Sequence, residues 1–289
     1  MKITKENNRI TINNPQDFNI IQTLNCGQIF RYVIDGNTAQ VFSKDKMAYV
    51  KFDENKIEIL TEDVEYFYHF FDLDRDYSQI KNTLKKDEFL LPAVNFGWGI
   101  RILNNDVYEM IISFIISANN HISRIKRSIE YLSENFGSKI LCAEHLKNLT
   151  GVKEYYAFPT LNQLKNVTVE QYRQAGLGYR AEQMFDTVQK LTDANINNLL
   201  LLDFQSQFRF LTSLKGIGEK VANCIMLFGL GVKNVFPVDT WINKVYNNLM
   251  HTNETDRKKI CAELTKRYGN LSGYAQQYVF YYYRDNNLK

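Results

Sequence analysis

The hydrophobic period of this chain changes once, near residue 61, and that change limits the fold more than any other feature. Before it, short runs alternate apolar and polar residues, the two-residue period of strands with one packed face. Residues 9–13 alternate in this way. Residues 29–34 and 38–43 flank Asp35-Gly36, a strong hairpin signal, and residues 46–52 and 56–60 flank Asp53-Glu54-Asn55, a second one. After it, apolar residues recur at helical spacing. Thr61-Glu62-Asp63 has the form of a helix start ahead of Val64, Phe67, Tyr68 and Phe71, and Val107, Met110, Ile111, Phe114 and Ile115 stripe a longer helix. The same spacing predicts helices over 123–136, 179–193, 203–214, 219–230, 240–249, 254–268 and 274–284. The expected fold class is α+β. An N-terminal antiparallel sheet domain with flanking helices, residues 1–98, leads into a mainly helical body, residues 99–289. There is no Pro/Gly-rich linker, so the two parts should pack closely.

Composition narrows the function classes. A chain of 289 residues that is 45% hydrophobic and 23% charged has enough apolar side chain for a core, which excludes a disordered chain. Its net charge of +3 permits an anionic partner without demanding one. The longest apolar run, about 111–118, falls short of the roughly 20 residues of a membrane helix. No apolar segment opens the N-terminus, so the expected place is the cytoplasm, with no membrane partner. Cys26, Cys142, Cys224 and Cys261 are scattered without a Cys-x-x-Cys pair, as are the four histidines. Zinc, an iron–sulfur cluster and a disulfide framework are therefore not expected, nor is any organic cofactor.

Chemistry concentrates between residues 203 and 242. Gly216-Ile217-Gly218 separates two apolar-periodic segments. Two glycines allow a tight hairpin and close approach of another backbone, and the free N–H groups of the second helix form an anion site for a phosphate. By itself the pattern is more often a plain helical turn. Lys220 falls in the first turn, where the helix dipole and burial are expected to lower its pKa and favour a nucleophilic amine. Most lysines are instead solvated. Cys224 lies one turn later on the same face and would ordinarily be a small core residue. Asp239, in Val235-Phe-Pro-Val-Asp239, is a natural N-cap, yet a carboxylate fixed there can also steady a cationic sugar transition state.

Together these residues resemble the helix–hairpin–helix and Gly/Pro…Asp signature of the base-excision DNA glycosylases, and in particular the 8-oxoguanine DNA glycosylase/lyase family. The hairpin motif occupies about 203–230. Further matches follow in order: Cys26-Gly-Gln-Ile-Phe-Arg31, Ser117-Ala-Asn-Asn-His-Ile-Ser-Arg124, Tyr156-Ala-Phe-Pro159, Gly176-Leu-Gly-Tyr-Arg-Ala181 and Gly273-Tyr-Ala-Gln276. The resemblance implies an enzyme that flips 8-oxoguanine out of duplex DNA, preferably opposite cytosine, and cuts the strand through a Schiff base. It makes Lys220 the nucleophile and Asp239 the stabiliser of positive charge. It gives the base to Gly27, Gln276, Phe280 and Cys224. Asn119 would fill the vacated stack, Tyr179 would wedge beside it, and Arg124 and Arg180 would read the unpaired cytosine. Gly216 and Gly218 would meet phosphate, with a cation on hairpin carbonyls as the sole metal the family implies. A monomer acting on double-stranded DNA is expected.

Two residues depart from the family pattern. Trp241 stands where animal and fungal members carry a phosphate-contacting His, and His121 where they carry Asn. With the short N-terminal arm, these point to a prokaryotic member acting on nucleoid DNA. The alternatives are a glycosylase for another damaged base and a non-catalytic DNA-binding hairpin module. The first usually needs either a four-cysteine cluster or no Lys at 220. The second leaves Lys220 and Asp239 without a purpose.

Overall fold

The computed structural model describes residues 1–286. Its strands are β1 (Lys2–Glu6), β2 (Arg9–Asn13), β3 (Tyr32–Asp35), β4 (Thr38–Ser43), β5 (Lys46–Phe52) and β6 (Lys56–Thr61). They form one antiparallel sheet in the order β1-β2-β6-β5-β4-β3. Alternation chooses the packed face. Ile10, Ile12, Val41, Val50, Ile57 and Ile59 are buried together with Phe67 and Phe70 of the helix Val64–Phe70. The first hairpin turns one residue later than expected: Asp35 pairs with Thr38, and the turn is Gly36–Asn37, with Gly36 at φ +53°. The expected strand 29–34 starts only at Tyr32, because Ile29 packs under the sheet while Phe30 packs into the helical body. Strand β1 was not anticipated. It is almost wholly exposed, so it carries no buried alternation to read.

The helical body begins with Val107–Ser117 and Ile122–Phe136 and continues through Arg180–Lys190, Phe204–Thr212, Glu219–Phe228, Thr240–Met250, Arg257–Tyr268 and Ser272–Asp285. Caps set the boundaries. Asp106, Asp203, Asp239 and Asp256 each accept a first-turn N–H. The helix expected over 179–193 ends at Lys190, because Thr192 builds a capping box with Asn195 and starts a new helix, Asp193–Leu199. One core runs through the body, with Ile111, Ile115, Ile225, Leu227 and Phe236 fully buried. Tyr77 and Leu84 from Tyr77–Leu84, and Ala93 and Val94 from Leu91–Phe96, belong to this core rather than to the sheet's.

A buried guanidinium ties the two parts together. Arg101 is fully buried and donates to the main-chain carbonyls of Asp17, Phe71, Asp72 and Arg75. Its guanidinium carbon lies 4.1 Å from the centre of the Tyr77 ring. Gln28 works alongside, donating to the Thr23 and Arg101 carbonyls and accepting from Leu103 N–H. These bonds fix the loop that carries Gly27 between sheet and body.

Candidate active site

The hairpin between Phe204–Thr212 and Glu219–Phe228 uses its two glycines differently. Gly216 sits at φ +85°, and a β-carbon there would lie 3.0 Å from Gln183 Oε1. Both conditions demand glycine. Ile217 is buried as the plug between the helices. Gly218 caps the second helix at φ −84°, and a β-carbon on it would meet open space. The sequence reading gave both glycines to the turn, but only Gly216 serves it. Gly218 is exposed, with no side chain over the first-turn N–H groups.

One turn into this helix, a cavity of about 60 Å³ opens between five stretches of chain. Gly27, Phe114, Lys220, Cys224, Asp239, Gln276 and Phe280 line it. Lys220 is half-buried, on the same wall as Cys224, with Nζ 5.9 Å from the centre of the Phe114 ring. The expected lowering of its pKa is reversed. Cys224 and then Asp239 hold the ammonium above its usual range, against the downward pull of burial. Burial pushes the Cys224 thiol up as well. Asp239 caps Thr240–Met250 through Oδ1, which accepts Ile242 N–H at 2.8 Å. Its second oxygen makes no hydrogen bond among the described residues.

The opposite wall belongs to the helix Ser272–Asp285, where Gln276 and Phe280 share a face four residues apart. Gln276 is 6% exposed, yet its Oε1 has no partner among the described residues. Gly27 faces them at φ +86°, with Phe280 packed over it. Sequence reasoning missed Phe114 as a wall of this cavity. It lies in an ordinary apolar stripe and stacks on Phe228 at 5.7 Å, so nothing in the spacing marks it.

A second cluster forms at the end of Val107–Ser117. Asn119 is exposed at φ +49°, and Tyr179 beside it is 58% exposed. Arg180 is buried, with its guanidinium carbon 4.4 Å from the Tyr179 ring centre. It donates to the carbonyls of Ala118 and Asn119, at 2.7 Å in each case. Its donors therefore hold the left-handed turn at Asn119. Arg124 is exposed on the first turn of Ile122–Phe136, and its side chain joins no hydrogen bond or ion pair among the described residues. His121 occupies the cap of that helix, its carbonyl accepting from Arg124 and Ile125 N–H while its side chain makes no cap hydrogen bond, and Trp241 is exposed with Lys244 Nζ 5.5 Å from its ring. Among the described residues no three His, Cys, Asp or Glu side chains converge as metal ligands would, and no helix is long and apolar enough to cross a membrane.

Residues 10–111 match the family model of the 8-oxoguanine DNA glycosylase N-terminal domain, and residues 112–270 match that of the HhH-GPD superfamily of base excision DNA repair proteins. The Clostridium acetobutylicum 8-oxoguanine glycosylase/lyase, solved with double-stranded DNA containing cytosine opposite to 8-oxoG, is 34% identical with a TM-score of 0.91. The match covers 100% of this chain and 99% of that one. The chain belongs to the 8-oxoguanine DNA glycosylase family. The Arabidopsis thaliana N-glycosylase/DNA lyase OGG1 is 32% identical over 63% of this chain. The Saccharomyces cerevisiae N-glycosylase/DNA lyase is 34% identical over 63% of it. The chain spans about half the length of these two family members, 51% and 56%.

Proposed function

We propose that this chain is a DNA N-glycosylase with lyase activity that removes 8-oxoguanine from duplex DNA, preferentially opposite cytosine. One observation carries the reading: Lys220 and Asp239 line one cavity with Gly27, Cys224, Gln276 and Phe280, and among the described residues neither the Gly27 carbonyl nor Gln276 Oε1 has a hydrogen-bond partner. A base reaches such a cavity only by leaving the stack. The free space suits a few waters at most. Phe280 must therefore move off Gly27 as the base enters.

The chemistry then follows from the groups. 8-Oxoguanine carries a hydrogen at N7 and can donate to the Gly27 carbonyl. Guanine presents a lone pair there, so acceptor would face acceptor. Gln276 meets the Watson–Crick edge, and Phe280 and Cys224 take the two faces. Lys220 must shed a proton before its nitrogen can attack C1′. The C1′–nitrogen bond to Lys220 forms as the glycosidic bond breaks, and the bonding pair leaves with the base. Asp239 opposes the positive charge that develops on the sugar. Loss of a second proton from Nζ lets the ring open to a protonated Schiff base, O4′ taking a proton. Loss of a C2′ proton then expels the 3′ phosphate. Because Lys220 is held above its usual pKa, the fraction ready to attack grows as pH rises.

Borohydride trapping tests this directly. The wild-type protein is expected to give a covalent band with a duplex carrying 8-oxoguanine opposite cytosine, and Lys220→Gln none. Base release without a band would make the enzyme monofunctional. Neither band nor release would remove 8-oxoguanine as the substrate.

A further inference from the structure

A carbonyl can read a base only if its loop is held in register with the side chains opposite. Two residues of the helix Ser272–Asp285, neither assigned a role above, tie the Gly27 loop to that helix. Gln277 is 2% exposed, and its Nε2 donates to the Cys26 carbonyl at 2.6 Å. Arg284, two turns further on, donates from Nη1 to the Asn25 carbonyl at 2.8 Å. The carbonyls of residues 25 and 26 are thus both taken, and that of Gly27 accepts nothing among the described residues. On the far side, Gln28 is fixed by its bonds to Thr23, Arg101 and Leu103. With its neighbours pinned on both sides, the Gly27 carbonyl has little freedom to turn.

We propose that Gln277 and Arg284 are positioning residues for lesion recognition, a two-point latch that sets the Gly27 carbonyl against Gln276 and Phe280. The proposal rests on the reading of Gly27 as the group that meets N7–H. Two observations favour a latch over ordinary packing. A buried amide at 277 is a poorer core residue than an apolar side chain of its size unless its hydrogen bond is used. Arg284 also touches the moving part: its guanidinium carbon lies 5.6 Å from the Phe280 ring centre. The residue that holds the loop therefore also flanks the ring that must make way for the base. Recognition residues and their supports share one helix, so loop and ring keep a common reference.

The test separates base recognition from the chemistry on the sugar. Gln277→Met keeps the side chain's length and removes its donor, and Arg284→Met, a shorter and uncharged side chain, removes the donors of the second tie. Single-turnover release of 8-oxoguanine is expected to fall about tenfold for Gln277→Met, the worth of one buried hydrogen bond. The preference for damaged over undamaged duplex should shrink with it. Cleavage and borohydride trapping at a preformed abasic site, where there is no base to read, are expected to stay near wild type. Arg284→Lys should recover part of what Arg284→Met loses, because an ammonium can still reach the Asn25 carbonyl. Unchanged release in both Met variants would overturn the latch. So would an equal fall in release and in abasic cleavage, which would mark a structural role. Failure of the underlying reading shows elsewhere, in wild-type protein that cuts the abasic site but releases no 8-oxoguanine.

Discussion

Phe280 lies across Gly27 so closely that a β-carbon on Gly27 would fall 3.1 Å from the ring's Cε1, on backbone at φ +86°. Gly27→Ala therefore meets two obstacles. The left-handed backbone is strained by about 1–2 kcal/mol for a residue with a β-carbon, and the ring must shift. The variant is expected to fold, to release 8-oxoguanine far more slowly, and to keep its cleavage of abasic sites. Paired single-turnover assays on lesion and abasic duplexes check this. Wild-type release from Gly27→Ala would show that no base passes between that carbonyl and Phe280.

Asp239 holds two functions on one side chain, and a pair of substitutions parts them. Oδ1 caps Thr240–Met250, a task asparagine performs equally well. The charge facing Lys220 is what asparagine lacks. Asp239→Asn should keep the wild-type melting temperature and slow base release by about 10²-fold. Asp239→Ala should show the same slowing and also lose about 1 kcal/mol of stability with the cap. If Asp239→Asn releases base at the wild-type rate, the carboxylate is only a cap.

The parts legible in the sequence were those whose signal is local. The hairpin motif, the Asp239 cap and the Gln276–Phe280 face each follow from spacing within one helix or turn. What escaped depends on partners far along the chain. Arg101 reads as one more surface cation, yet its donors meet carbonyls from residues 17 to 75. Gln277 reads as a polar helix residue until Cys26, on a distant loop, accepts from it. Lys220 shows the same limit in energetic form. Its position in the helix argued for a lowered pKa, and the neighbours brought by the fold, Cys224 and Asp239, raised it. Arg180, expected toward a base, is engaged by the carbonyls of a turn that only the packed structure creates.

Glu109 should leave a mark on stability rather than on catalysis. Burial pushes its carboxyl from 4.5 up to about 7, with Arg31 and the Lys44 N–H opposing the shift. Below 4.5 both folded and unfolded states are protonated, and Glu109 has no effect. Between 4.5 and about 7 the unfolded chain ionises first, so stability falls as pH rises. Above that window both states are ionised and the loss is constant, about 3 kcal/mol at most. A neutral amide at this position could still accept from Lys44 N–H. Glu109→Gln should therefore show a flatter stability profile across this window, with its largest relative gain on the alkaline side. Denaturant unfolding at both ends of the window measures it, and parallel profiles for the two proteins would place the carboxylate's charge in a less buried setting.

Gly218 offers the sharpest separation of fold from DNA contact. Its backbone, at φ −84° and ψ 176°, is open to any residue, and a β-carbon there meets nothing in the protein. Gly218→Ala should change the melting temperature little, since the freedom alanine removes from the unfolded chain is offset by its poorer fit as the N-cap of Glu219–Phe228. Gly216→Ala should lower it, because the φ of +85° and the Gln183 side chain both oppose a β-carbon. If a phosphate packs on the N–H groups at the start of Glu219–Phe228, the new methyl holds it off, and affinity for duplex should drop about tenfold. No charge is removed, so the slope of log affinity against log salt should not change. A salt titration of both proteins distinguishes the cases. Equal affinities would mean that the DNA backbone passes elsewhere, whereas a reduced slope would mean that the methyl has also displaced a lysine or arginine from its phosphate.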